Sequence, residues 1–153
     1  MMPVKTLQKY SLFGGFLEEQ IQGILPFMRY ASYEAGHTVI TEGRENDTIY
    51  FILEGRVGII QNGRTLYEFG EGNTFGEMEV LDVMPSAATA ITLAPTRVMY
   101  MSNRNLREIY QYDIKCFSIL MMNLARDLSR RLRLLNASLD SIAAGGDQMP
   151  ENK

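Results

Sequence analysis

The spacing of apolar positions along the chain changes character twice. Over residues 7–32 they recur at roughly helical intervals, at Leu12, Phe13, Phe16, Leu17, Ile21, Ile24, Leu25 and Met28, with Pro26 interrupting. That spacing predicts one or two short amino-terminal helices. From 36 to 101 the period shortens. Short β-rich runs stand at Thr38–Thr41, Ile49–Leu53, Val57–Gln61, Thr65–Phe69, Ala88–Leu93 and Arg97–Met101. Turn chemistry separates them, and Asn62-Gly63 between two such runs is a strong two-residue hairpin signal. Glycines 36, 43, 55, 63, 70 and 72 are placed to supply positive-φ corners. Most strands follow one another without an intervening helix, which predicts an antiparallel barrel or jelly roll rather than βαβ units.

After residue 101 the helical period returns. A short helix is expected over Asn103–Tyr110, capped by Ser102 or Asn103, and a long one over about Asp113–Ala144, ended by Gly145-Gly146. Residues 103–144 therefore read as carboxy-terminal helices and 145–153 as a disordered polar tail. Phe117, Met121, Leu124, Leu128, Leu132, Leu135, Leu139 and Ile142 fall on one stripe of the long helix. Its first half is apolar on other faces too, so it should bury against the barrel. The second half narrows to a seam with Arg126, Arg130 and Arg133 opposite, which suits a partner helix, most simply that of a second copy.

Length and composition narrow the classes. The 153 residues are enough for one domain, 1–144, and at 46% hydrophobic and 22% charged they have the composition of a folded chain. The formal net charge of −3 gives no overall positive field toward nucleic acid or acidic lipid. A single cysteine, Cys116, allows no internal disulfide, and no apolar run reaches the roughly 18 residues of a membrane span. A cytoplasmic protein is expected, with no membrane or direct nucleic-acid partner. The lone His37 at a turn is expected to face solvent, and Cys116 to be a buried small hydrophobe. No nucleophile constellation marks hydrolytic chemistry.

The informative stretch runs from Glu71 to Thr89, with Phe75-Gly76-Glu77 and, after a spacer, Pro85-Ser86-Ala87-Ala88-Thr89. It resembles the phosphate-binding cassette of the cyclic-nucleotide-binding domain family, whose core reads F-G-E, a spacer, then P-R-A-A-T. Gly36, Glu42-Gly43, Tyr50-Phe51-Ile52 and Glu54-Gly55 agree with the family's flanking pattern, so the resemblance covers about residues 7–140. It implies a mainly β fold: an antiparallel jelly roll (double-stranded β-helix) with amino-terminal helices and a long carboxy-terminal helix. It also implies that Phe75, Gly76, Glu77, Met78, Ser86 and Ala87 contact the ligand. A loop entering a short helix offers backbone N–H groups to a phosphate. Gly76 lets the backbone approach closely, and Glu77 accepts from a ribose hydroxyl.

Two departures bear on that reading. Ser86 stands where the family carries the arginine that pairs with the cyclic phosphate, leaving one neutral donor in place of a charge. Glu79 stands where a small residue is usual, and with Glu77 and Asp82 it makes three carboxylates in six residues around an anion site. Glu77 then has three readings: ribose contact in a weakened site, contact with a different ligand, or a purely structural turn. Arg44, Arg56, Arg64, Arg97 and Arg131 are available as substitute cations. Arg131 flanks the helix seam, and an ordinary surface arginine is its expected role.

The catabolite-activator and Fnr-type regulators that the chain resembles continue into a helix-turn-helix after the long helix, and nine residues remain here. The expected function is a non-enzymatic regulatory or sensor module with weak or altered nucleotide binding, signalling through its carboxy-terminal helix. The alternatives are an interaction or structural module with a ligand-free degenerate pocket, or the sensory fragment of a transcription regulator. The expected partners are a cyclic nucleotide or other small ligand, a second copy, and a protein that receives the signal. No cofactor or metal is expected.

Overall fold

Asn62 and Gly63 both hold positive φ, 51° and 75°, the geometry whose twist matches that of flanking strands. They close the hairpin of β4 (Val57–Gln61) and β5 (Arg64–Phe69). In the computed structural model, which describes residues 2–146, this hairpin is half of a sheet ordered β2-β7-β4-β5, with β2 at Thr38–Ile40 and β7 at Thr89–Thr92. The second sheet is ordered β1-β8-β3-β6, from Arg29–Tyr33, Thr96–Ser102, Thr48–Glu54 and Thr74–Phe75. Every pairing is antiparallel. Ile52, Phe75 and Val98 from one sheet meet Ile40, Val57 and Ala90 from the other in a single buried cluster. This is the mainly β jelly roll with flanking helices that the motif implied.

A second, larger cluster joins the barrel to the helices. Leu12, Phe13, Ile21 and Ile24 pack with Phe51, Met99 and Met101 of the barrel and with Ile109, Leu120 and Leu124 beyond it. The amino-terminal contributors lie in α1 (Val4–Leu7), a 3₁₀ turn at Ser11–Phe13, α2 (Glu18–Ile24) and a second 3₁₀ turn at Leu25–Phe27. The helical reading of 7–32 is corrected at its end. Arg29–Tyr33 is an edge strand paired with β8, because the open edge of β8 offers its backbone five paired positions that a further helical turn would leave empty. Two-residue β6 was also not anticipated, and Gly70 is the one expected corner that lacks positive φ.

The cassette helix, α3 (Glu77–Asp82), ends on a strained residue. Val83 holds φ 57° and ψ 34°, is 85% exposed, and its N–H donates to Glu79 O at 3.1 Å. Left-handed backbone costs an L-residue about 1–2 kcal/mol, and glycine's larger unfolded-state entropy offsets roughly 0.5–1 kcal/mol of that. Val83→Gly should therefore stabilise by about 0.5–1 kcal/mol and raise the melting temperature by roughly 1–4 °C. A lower melting temperature in a thermal scan would contradict the strain.

Ser102 begins α4 (Asn103–Tyr112) with a reciprocal cap: its Oγ accepts from Asn105 N–H at 3.2 Å while Asn105 Oδ1 accepts from Ser102 N–H at 3.0 Å. The long helix, α5, spans Ile114–Gly146 and so runs through Gly145-Gly146 instead of stopping at Ala144. Residues 147–153, expected to be disordered, lie outside the described residues. Asn123, 3% exposed, ties α5 to the amino-terminal segment by donating to Leu12 O at 2.8 Å and Gly14 O at 2.9 Å. Beyond Leu128 the helix leaves this support, and Leu132, Leu135, Leu139 and Ile142 are exposed. Among the described residues no helix is long and apolar enough to cross a membrane.

Candidate functional site

Between β6 and α3 the chain turns at Gly76, where φ is +83°. A Cβ there would lie 2.6 Å from the Thr48 carbonyl oxygen and 3.0 Å from Asn46 Nδ2. Asn46 Nδ2 in turn donates to Thr48 O at 2.9 Å and Gly76 O at 3.0 Å, fastening the turn to β3. Glycine is therefore required here by the chain's own packing, whereas the sequence suggested the approach of a ligand. The turn aims the next side chain inward, and Glu77 is only 2% exposed.

A buried carboxylate needs a partner, and α5 provides it. Arg131 Nη1 donates to Glu77 Oε1, and Arg131 Nη2 donates to the Thr74 carbonyl at 2.8 Å. The guanidinium carbon also sits 4.6 Å from the centre of the Phe69 ring. Arg131 is thus no ordinary surface arginine: its side chain is 25% exposed and joins β5, β6, α3 and α5. Burial pushes the Glu77 carboxyl above its ordinary range. The Arg131 charge and the residue's own backbone N–H pull it back, and nearby Glu79 pushes it up again, with a net upward shift. Sequence spacing held a signal for Arg131, since 128, 131, 132 and 135 share one helix face.

Phe75, Gly76, Glu77, Met78, Ser86 and Ala87, all six residues that the cassette pattern singled out, line one cavity of about 270 Å³. Leu128, Arg131, Leu132 and Leu135 of α5 form its outer wall, and Ile40, Ile59, Tyr67, Phe69 and Ala90 its barrel side. The barrel wall was not anticipated, because alternate strand residues acquire a common face only once the register is known. Ser86 does not offer the donor expected of it. It is 5% exposed, its Oγ donates to Ala88 O at 2.6 Å, and its backbone bonds Arg44 O and Gly43 N–H.

Arg131 is the single cationic side chain on the cavity wall among the described residues. Arg56 pairs with Glu68 at 3.6 Å and Arg97 with Glu54 at 3.0 Å, and neither these arginines nor Arg44 and Arg64 line the cavity. Glu79 and Asp82 line it beside Glu77. Among the described residues no three His, Cys, Asp or Glu side chains converge as a metal site. His37 is exposed and stacks on Tyr33 at 4.7 Å between ring centres. Cys116 is 1% exposed, and burial foremost, then Asp113, pushes its thiol up to about 11, far from a nucleophile's range.

Residues 30–113, more than half of the chain, match the cyclic nucleotide-binding domain family. Over 137 residues the chain is 28% identical to the cyclic AMP receptor protein of Thermus thermophilus, covering 86% of this chain and 62% of that one. It is 29% identical over 105 residues to the cAMP-dependent protein kinase regulatory subunit of Yarrowia lipolytica, covering 69% of this chain and 28% of that one. The chain thus spans less than two thirds of either relative. The crystal structure of a cyclic nucleotide-binding domain from Methylobacillus flagellatus superposes with a TM-score of 0.79 at 26% identity, over 98% of this chain and 84% of that one.

Proposed function

The chain belongs to the cyclic nucleotide-binding domain family, and we propose that it is a non-enzymatic regulatory module whose ligand lies between cassette and long helix and whose output is the position of α5. The observation that carries this reading is Arg131. One side chain of α5 reaches the buried Glu77 carboxylate, the Thr74 carbonyl and the Phe69 ring at the cavity wall. A ligand hydroxyl that donates to Glu77 shares that carboxylate with Arg131, so occupancy and helix position meet at one group. Such sharing can couple site and helix by about 1–3 kcal/mol.

Cyclic nucleotide binding is weak in this reading. The only cation on the wall among the described residues is engaged, the Ser86 hydroxyl is spent on Ala88, and Glu79 and Asp82 face an incoming phosphate. Calorimetric titration with 3′,5′-cyclic AMP and cyclic GMP is the test, with dissociation constants of about 0.1 mM or weaker expected. No heat and no melting shift at millimolar nucleotide would leave α5 without a nucleotide input and favour an interaction module instead.

The signal needs a recipient, and the exposed Leu132, Leu135, Leu139 and Ile142 make the distal half of α5 the surface for a second copy. Leu132→Asp with Leu135→Asp should convert a dimer to a monomer in sedimentation at tens of micromolar. Unmodified protein that already sediments as a monomer there would contradict helix pairing.

A further inference from the structure

We propose that the cavity prefers an uncharged, mainly apolar small molecule over a cyclic nucleotide or any other anion. The proposal rests on the cavity being a ligand site, as argued above, and adds the chemical class. At about 270 Å³ the space is near the lower end of the roughly 300–1,000 Å³ found for small-molecule sites. Its barrel side is hydrocarbon and aromatic, with Ile40, Ile59, Phe69 and Ala90, and α5 adds Leu128, Leu132 and Leu135. An anion entering there loses its hydration and needs a cation in return. Arg131, the one cation on the wall among the described residues, is held by a carboxylate, a carbonyl and an aromatic ring. Using it for a phosphate would leave Glu77, 2% exposed, as a buried carboxylate without its partner, beside Glu79.

An uncharged apolar ligand incurs neither cost. It covers the leucines and aromatic rings, leaves the Arg131–Glu77 pair in place, and asks nothing of the Ser86 hydroxyl. It also extends the apolar contact between barrel and α5 across the cavity, so it holds the helix against the barrel. A nucleotide phosphate that drew Arg131 away from Glu77 would loosen the same contact, so the two ligand classes act on α5 in opposite directions.

The test uses the uncharged fluorophore N-phenyl-1-naphthylamine, titrated into the intact protein and then competed with 3′,5′-cyclic AMP. Saturable binding is expected, at least tenfold tighter than that of the nucleotide. Ala88→Phe, which places a ring in the cavity wall, should weaken the probe at least tenfold while far-ultraviolet dichroism stays unchanged. If that variant does not fold, Leu128→Glu supplies the same readout from the helix side. Cyclic AMP binding as tight as the probe's would overturn the ligand class and leave the regulatory reading standing. Probe binding that neither cavity variant weakens would place the probe on the exposed α5 seam and also overturn it. Failure of both probe and nucleotide to bind would remove the ligand site itself.

Discussion

Arg131→Met is expected to lower the unfolding free energy by about 3 kcal/mol at pH 7.5 and by less than half as much at pH 5. Removing one partner of a buried ion pair costs about 3–5 kcal/mol, and the 25% exposure of the Arg131 side chain puts this case at the low end. The loss is pH-dependent because the stranded group is an acid. Glu77 already titrates above the ordinary carboxylate range through burial, and Arg131 is the largest influence opposing that shift. Without the arginine the folded-state value rises further. Above the unfolded-state value the folded protein then binds more protons than the unfolded chain, so stability falls as pH rises through that window. Below the unfolded-state value both states hold the proton and the penalty is gone. Urea unfolding at several pH values measures this, and a 3 kcal/mol loss corresponds to a melting temperature roughly 6–12 °C lower. Glu77→Gln in the Arg131→Met background should flatten the extra slope. An equal loss at pH 5 and pH 7.5 would show that Arg131 matters only through its packing on Phe69 and its bond to the Thr74 carbonyl.

The residues of this site differ in how far sequence alone exposes them. Glu77 and the cavity-lining cassette are legible because a turn followed by a short helix is a local arrangement, written in consecutive residues. Strand positions are legible for the same reason, down to the positive φ of Asn62 and Gly63. Arg131 is 54 residues from Glu77, and its role depends on where α5 crosses the barrel. That crossing is set by long-range packing of Leu120 and Leu124 against Phe51 and Met101, and by Asn123 bonding the Leu12 carbonyl. No local spacing encodes it. Arg29–Tyr33 fails differently: it follows two helical turns without a break in hydrophobicity, and only the open edge of β8 makes it a strand. Ser86 can be recognised as a missing charge, but its local bond to Ala88 O depends on the turn formed with Gly43 and Arg44.

That bond bears on the second large effect. Ser86→Arg with Glu79→Ala should strengthen cyclic AMP binding by about 2–4 kcal/mol, roughly 30- to 700-fold in affinity. The gain has two sources. An arginine at 86, on the cavity wall, supplies a guanidinium that Glu77 does not already hold, and loss of the Glu79 carboxylate removes one repulsion from the same wall. Releasing the Ser86 hydroxyl from Ala88 O costs about 0.5–1.5 kcal/mol of folding stability, because Ala88 O can turn to water at a half-buried position. The backbone bonds of residue 86 to Gly43 and Arg44 do not involve the side chain, so the cassette should keep its turn. Removing Glu79 should also let the Glu77 carboxyl titrate lower, which favours its ionised, ribose-accepting form. In this background Glu77→Ala should abolish most of the gain, since the hydroxyl acceptor goes with it. The same double variant should weaken N-phenyl-1-naphthylamine, because a guanidinium now occupies apolar space. Calorimetry of the unmodified chain, each of the two single variants and the double variant separates the two contributions. A folded double variant that binds cyclic AMP no better than the unmodified chain would show that cavity shape, not charge, excludes the nucleotide.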